Sequence, residues 1–197
     1  MFLTVGAATA LAIAVSIFGF TQTQSGPVDL HGNRVQAEEA PTSAASASAV
    51  PDTGAHFVVP SVGLDVPLGA LNAVNGEVVP PGFTSAYWIR NEGVPITKAS
   101  SGTVFVVMHS LRNGGVGPGN YLIDVAEQKA KVRAGEKIQV ADVIYTITGS
   151  HVVEKTDLAQ SGKVWADTPN RLVVITCLQR REGGPSTDNM VIEAVRT

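Results

Sequence analysis

Residues 171–177 have the sequence RLVVITC, the most strand-like run of the chain. Aliphatic and β-branched residues fill this run, and such residues fit the pleated surface of a buried sheet. The run ends at Cys177, the only cysteine among the 197 residues. A lone cysteine has no internal disulfide partner, so Cys177 is either a small buried hydrophobe or a reactive thiol.

A second apolar run also ends at a residue that can carry chemistry. Residues 103–108 (TVFVVM) are followed by His109, and functional residues often lie where a buried strand meets a loop. A neighbouring imidazole can activate a thiol as a base or by stabilising the thiolate. His109 and Cys177 are 68 residues apart, so the fold would have to bring them together.

The composition favours a turn-rich β protein, since the chain has 20 Gly and 11 Pro but only 16% charged residues. Seven or eight short strands, separated by Gly, Pro, Asn and Asp, indicate a closed β-barrel or a sandwich. Residues 156–160 are the one short helical turn predicted within the domain. The predicted strands are Phe57–Pro60, Val62–Leu68, Thr103–Met108, Lys137–Val140, Val143–Thr148, His151–Glu154, Arg171–Thr176 and Met190–Val195.

Three segments are predicted along the chain. Residues 1–20 are apolar and uncharged, with the length of a membrane-spanning helix, although a cleaved signal peptide is the alternative. Residues 21–55 are rich in Ser, Ala, Pro and Gln and are expected to form a flexible linker. Residues 56–197 form the predicted domain. We therefore expect this domain to lie outside the cytoplasm, either anchored to the membrane or secreted after cleavage.

Charge and residue spacing exclude other classes of partner. The net charge is −3 and the longest basic run is Arg180-Arg181, which is against nucleic acid as a partner. The four histidines form no set with metal-ligand spacing, so we expect no metal or other cofactor. Calcium dependence is left open.

Four motifs in a fixed order resemble those of the sortases, a family of cysteine transpeptidases, and the resemblance covers about residues 57–197. Residues 59–68 (VPSVGLDVPL) are similar to the family's opening strand, and residues 106–110 (VVMHS) are similar to the strand that ends in the active-site histidine. Residues 132–138 (VRAGEKI) are similar to the family's GD-x-I turn, with Glu136 in place of Asp. Residues 172–177 (LVVITC) are similar to the family's L-x-T-C signature.

The resemblance implies a fold and a reaction. The fold is a closed, mainly β, eight-stranded barrel with short helical turns, here preceded by the apolar N-terminal helix. Cys177 would attack the Thr carbonyl of an LPxTG-like or LAxTG-like sorting signal, and His109 would give a proton to the leaving Gly amine. The thioester would pass to an amine of a cell-wall precursor or a pilin. Thr176 is expected to support substrate binding.

One family residue is missing at its usual place. The sortases carry a catalytic arginine near the start of the last strand, whereas residues 186–189 here are STDN. We predict that Arg180 or Arg181 takes its role, with Asn189 as a further, neutral hydrogen-bond donor to the substrate. The alternative function is a sortase-like module at the cell surface that binds or supports structure and has lost catalysis.

Overall fold

The computed structural model describes residues 26–35, 49–74 and 77–197, with only the backbone of residues 51 and 52. Short turns rich in Gly, Asn and Asp break this part of the chain into strands. The strands are β1 (Val50–Val59), β2 (Leu64–Leu71), β3 (Ala86–Ile89), β4 (Thr103–Met108), β5 (Ile123–Asp124), β6 (Lys129–Ala130), β7 (Lys137–Val140), β8 (Val143–Glu154), β9 (Arg171–Leu178) and β10 (Asp188–Arg196). One helical turn, α1 (Lys155–Leu158), and the 3₁₀ helices Pro60–Val62, Ile96–Lys98 and Pro118–Tyr121 complete the elements.

Eight of these strands form a closed barrel in the order β1-β2-β3-β4-β9-β10-β8-β7. This confirms the predicted mainly β, eight-stranded barrel. The pairs β2–β3 and β4–β9 are parallel, and the other barrel pairs are antiparallel. Closure gives every barrel strand two neighbours, although β7 pairs with only the first four residues of β8 and with Phe57 and Val58 of β1.

The strands β4 and β9 are buried on both faces, which explains their continuous apolar sequences. Successive side chains of a strand point to opposite faces. The even-numbered apolar residues of β4 and β9 belong to the core inside the barrel, and Phe105, Val107, Val173 and Ile175 belong to a second apolar cluster outside it. Residues 158–165 cover that outer cluster with Leu158, Val164 and Trp165.

The barrel starts earlier than the predicted domain boundary at residue 56. β1 begins at Val50, which pairs with Ala70 of β2 on the far side of a β-bulge, and the Thr53 hydroxyl donates a hydrogen bond to the Leu68 carbonyl. β8 is one continuous strand where two were predicted, because Gly149 and Ser150 keep their pairing with β10.

Part of the segment predicted as a linker packs against the loop that follows β4. The Asp29 side chain is only 2% exposed and accepts hydrogen bonds from the backbone N–H groups of His31, Asn33 and Val116 at 2.9, 2.8 and 3.1 Å. The Leu30 N–H donates to the Val116 carbonyl at 2.9 Å. These bonds attach residues 29–33 to the loop beside His109.

The predicted anchor, residues 1–20, lies outside the described residues. In the ranges that the structure covers, no helix is long and apolar enough to cross a membrane.

Candidate active site

Three predicted residues meet at one end of neighbouring strands. The parallel pairing of β4 and β9 ends at Met108 and Thr176, so His109 and Cys177 are the next residues on adjacent strands. On the other side of β9, Asn189 of β10 lies directly opposite Cys177. Adjacent strands are about 4.8 Å apart, and all three positions continue the outward-facing series of their strands.

Cys177, His109 and Asn189 line one cavity of about 230 Å³, together with Lys155 at the start of α1. Most of the remaining lining is aliphatic or aromatic, from Val78, Leu158, Trp165 and neighbouring residues. Cys177, His109 and Lys155 are the titratable residues of this lining, and no carboxylate belongs to it. No cluster of three or more metal-binding side chains occurs in the described part of the chain.

The orientation of the His109 ring is fixed by the crossover between β2 and β3. Parallel strands need a long connection, and two residues of this one, Pro80 and Phe83, contact His109. The Pro80 carbonyl lies 2.9 Å from Nε2 of His109, and the Phe83 ring packs edge-on at 4.8 Å between centroids. A carbonyl oxygen only accepts, so Nε2 carries the hydrogen of this bond.

The opposite wall of the cavity is built around Trp165. Its indole N–H donates to the Leu158 carbonyl at 2.7 Å, and its ring lies 5.0 Å from the Phe105 ring. The Arg171 guanidinium stabilises this wall by donating hydrogen bonds to the carbonyls of Lys163, Val164 and Ala166 at 2.9, 3.0 and 2.9 Å. The wall is therefore connected to the first residue of β9, the strand that carries Cys177.

Buried polar side chains join the ends of β4 and β9 beyond their last ladder pair. The Ser110 hydroxyl donates to the Cys177 carbonyl at 2.5 Å, and the Gln179 amide donates to the Ser110 carbonyl at 2.9 Å. The Gln128 amide in turn donates to the Gln179 carbonyl at 2.9 Å. These bonds keep the backbones of His109 and Cys177 side by side. The sequence signal for these bonds is that Ser110 and Gln179 lie next to the two strand ends; neither residue was among the predicted site residues.

The glycine-rich loop after His109 is held by one side chain. Asn120 accepts from the N–H groups of Leu111 and Gly117 at 2.7 and 2.8 Å, and donates to the Leu111 carbonyl at 2.8 Å. The Gly119 N–H donates to the His109 carbonyl at 2.8 Å. The loop that borders the site is thus tied to the backbone of His109.

The structure places the other predicted residues differently. Thr176 contributes to the cavity lining, but its side chain is 2% exposed, and its Oγ1 has no hydrogen-bond partner among the described residues. Arg180 pairs with Glu182, with 2.7 Å between Nε and Oε1. Neither Arg180 nor Arg181 belongs to the cavity lining.

The cation that does line the cavity, Lys155, was absent from the predicted site. It directly follows the strand predicted at residues 151–154, so a strand end was again the available signal.

A scan against protein-family models gives no match, and a search of the curated proteins gives none either. A search of the solved structures gives several matches. Sortase A of Listeria monocytogenes matches with a TM-score of 0.52 and 20% identity, covering 73% of this chain and 86% of that one. Sortase C-1 from Actinomyces oris matches at 0.53 and 14%, covering 75% of each chain. A pilus-related sortase C of group B Streptococcus matches at 0.52 and 14%, covering 87% and 79%. The chain therefore has the fold of the sortases.

Proposed function

We propose that this protein is a cysteine transpeptidase of the sortase type, with Cys177 as the nucleophile and His109 as the general acid and base. One observation carries the proposal. The only cysteine of the sequence and an imidazole line the same cavity, at the ends of adjacent parallel strands. Covalent catalysis by cysteine needs such a proton donor and acceptor nearby.

The reaction follows from the atoms in the cavity. The Cys177 thiolate attacks the carbonyl carbon of a substrate peptide bond and forms a tetrahedral oxyanion. As the C–N bond breaks, the leaving amine takes a proton from His109, and a thioester remains on Cys177. An amine nucleophile then attacks the thioester and returns a proton to His109. A new amide bond forms as the C–S bond breaks, and Cys177 is released as the thiolate beside a protonated His109.

The proposed substrate is a sorting signal of the LPxTG or LAxTG type, cleaved between Thr and Gly. The apolar walls of the cavity, with Val78, Leu158 and Trp165, suit a peptide that carries Leu and Pro or Ala. The proposed acceptor is an amine of a cell-wall precursor or a pilin. With residues 1–20 as an anchor or signal, the enzyme would act on surface proteins at the outer face of the cell membrane.

A second candidate is a surface module with the same fold that binds such peptides or supports structure without cleaving them. The observation in its favour is that neither Arg180 nor Arg181 lines the cavity.

Peptide cleavage separates the two functions. Full-length protein in detergent is incubated with fluorogenic LPxTG and LAxTG peptides and with an amine acceptor. We expect transfer to the amine and a thioester on Cys177 by mass spectrometry. Cys177→Ala should abolish both, and His109→Gln should lower the rate by about 10²–10⁴-fold.

His151→Gln is the matched control, because His151 lies on β8 and its Nδ1 is 3.6 Å from Oε1 of Glu193, away from the cavity lining. Cleavage that survives Cys177→Ala would refute the mechanism. Binding without cleavage across the peptide panel would establish the module instead.

A further inference from the structure

We propose that the Lys155 ammonium group is the cation that stabilises the negative charge of the reaction, on the Cys177 thiolate and on the oxyanion. This inference rests on the proposed function. It replaces the predicted role of Arg180 or Arg181 with a residue from a different part of the fold.

The strand register brings Lys155 to the catalytic end of the barrel. Asn189 of β10 pairs with Cys177 on one side and with Val153 of β8 on the other. Lys155 follows Val153 by two residues, and its N–H donates to the Thr187 carbonyl at 2.9 Å. Its backbone is therefore fixed beside the start of β10, two strands away from Cys177.

The lysine side chain covers more than half of this gap, and the Cys177 side chain covers part of the rest. Two strand spacings amount to about 10 Å, and the flexible four-carbon stem of a lysine carries its ammonium roughly 6 Å from the backbone. Consistent with this reach, Lys155 lines the same cavity as Cys177, His109 and Asn189.

The charges around the cavity leave this role to Lys155. No arginine and no carboxylate belongs to the lining, and within the described residues Lys155 makes no ion pair. Arg180, in contrast, is engaged by Glu182. The elements packed around Cys177 bring the charged or titratable groups His109 and Lys155, and the neutral amide of Asn189.

Lys155 is exposed, and a positive charge that it brings to this place would act at both steps of the reaction. It favours the thiolate over the thiol, and it attracts the oxyanion that forms when the thiolate attacks. Lysine does so as a point charge, without the two parallel hydrogen bonds of an arginine. Asn189 lies between the strands that precede Lys155 and carry Cys177, so it adds a neutral donor on the same side of the sulfur as the lysine.

The first test measures charge at the sulfur without any substrate. Cys177 is alkylated with iodoacetate, which is anionic, and with iodoacetamide, which is neutral, and the ratio of the two rates is taken. The thiolate fraction cancels in this ratio, which leaves the local potential. Lys155→Met should lower the ratio roughly threefold, the factor that Coulomb's law gives for unit charges about 6 Å apart in water. Lys155→Arg should preserve the ratio. Salt at about 0.5 M should reduce the difference in this ratio between the wild type and Lys155→Met.

The second test measures catalysis with the fluorogenic LPxTG and LAxTG peptides. Lys155→Met should lower kcat/KM by about 10–100-fold, and Lys155→Arg should restore most of it. Lys98→Met is the matched control, because Lys98 lies in the 3₁₀ helix Ile96–Lys98, outside the cavity lining. Lys98→Met should change neither the alkylation ratio nor the cleavage rate.

Several results would overturn the proposal. An unchanged alkylation ratio in Lys155→Met would do so, especially if Arg180→Met or Arg181→Met lowered the ratio instead. A lowered ratio with unchanged kcat/KM would show that the charge is present but not used. If the wild type cleaves no peptide, the proposed function fails, yet the alkylation ratio still decides whether Lys155 faces the sulfur.

Discussion

Asn189 shows how one position in the register can define a site. It stands opposite Cys177, is 6% exposed and lines the cavity. Directly opposed residues on antiparallel strands lie on the same face of the sheet, so the amide is held close to the thiol by backbone pairing alone. A neutral donor at this point can bind a substrate carbonyl without competing with Lys155 for the thiolate.

We predict that Asn189→Ala lowers kcat/KM for peptide cleavage by about tenfold, since one hydrogen-bond donor is lost. Asn189→Asp should be worse, because a carboxylate beside Cys177 repels both the thiolate and the oxyanion. Steady-state kinetics of the three proteins test this order. Equal rates for Ala and Asp would show that the amide does not face the reacting atoms.

Gly119 is a second residue that the site depends on, because its position leaves no room for a side chain. A Cβ at this position would lie 2.0 Å from Thr176 Oγ1 and 3.0 Å from the His109 carbonyl oxygen. We predict that Gly119→Ala destabilises the protein by about 1–3 kcal/mol, as overpacked cores do, and also displaces His109. Urea denaturation measures the first effect and peptide cleavage the second. Gly162→Ala is the control, because nothing lies within 4 Å of its Cβ position.

At the scale of elements, the wall around Trp165 depends on one side chain of β9. Arg171 donates to three carbonyls of residues 163–166 and lies 3.4 Å from Glu193. The wall covers the outer apolar cluster and also borders the cavity. Substrate binding and stability are therefore coupled through this segment.

We predict that Arg171→Met lowers the free energy of unfolding by about 1–2 kcal/mol, because three backbone carbonyls, one of them partly buried, lose their donor. KM for the peptide should rise more than kcat falls, since the wall contacts substrate and not the reacting bond. Arg171→Lys should recover part of the loss. Chemical denaturation and steady-state kinetics provide both readouts. An unchanged stability would mean that the carbonyls find other partners.

Strand position was predictable where burial leaves a clear pattern. β4 was predicted with its observed bounds because both faces are buried, and β9 was predicted to within two residues. β3 was not predicted, because a segment of four residues shows too few alternations of apolar and polar side chains to be distinguished from a loop. Cys177 and His109 were predicted as a pair because each ends a strand that carries a clear signal.

The remainder of the candidate site could not be predicted from local sequence. Lys155 and Pro80 line the cavity, and Phe83 packs against His109. They lie on connections whose course depends on the parallel β2–β3 pair and on the pairing of β8 with β10. Arg180 and Arg181 were chosen because they are close to Cys177 in sequence. β9 ends at Leu178, and neither arginine belongs to the cavity lining, so proximity along the chain does not become proximity in the cavity.

At the scale of the whole molecule, the segment that precedes the barrel contributes to the environment of the site. Burial alone would raise the pKa of Asp29, but hydrogen bonds from Asn33, Val116 and His31 outweigh it and hold the pKa below the ordinary value of 3.8. The carboxylate therefore stabilises the contact between residues 29–33 and the loop beside His109.

The lowered pKa gives this contact a defined pH dependence. The stabilisation is fully present above the ordinary value of 3.8 and is lost as pH falls through the lower folded-state pKa. We predict that the Val116 amide loses its protection from hydrogen exchange in that acid range. Asp29→Asn should reduce the protection already at neutral pH and remove its acid dependence, whereas Asp142→Asn, in the exposed β7–β8 turn, should do neither. Protection that persists in Asp29→Asn would contradict this role.

The parallel pairing of β4 with β9 has a consequence for how activity arises. The strands that carry His109 and Cys177 are separated in sequence by β5, β6, β7 and β8. Long-range pairings of this kind form late, on a timescale of roughly milliseconds to seconds, because chain entropy must be lost before the contacts are gained. A nascent or partly folded chain thus carries an ordinary thiol with no imidazole beside it. If the protein is the proposed transpeptidase, acyl transfer begins only when the barrel has closed, and unfinished chains would not become acylated by bystander peptides.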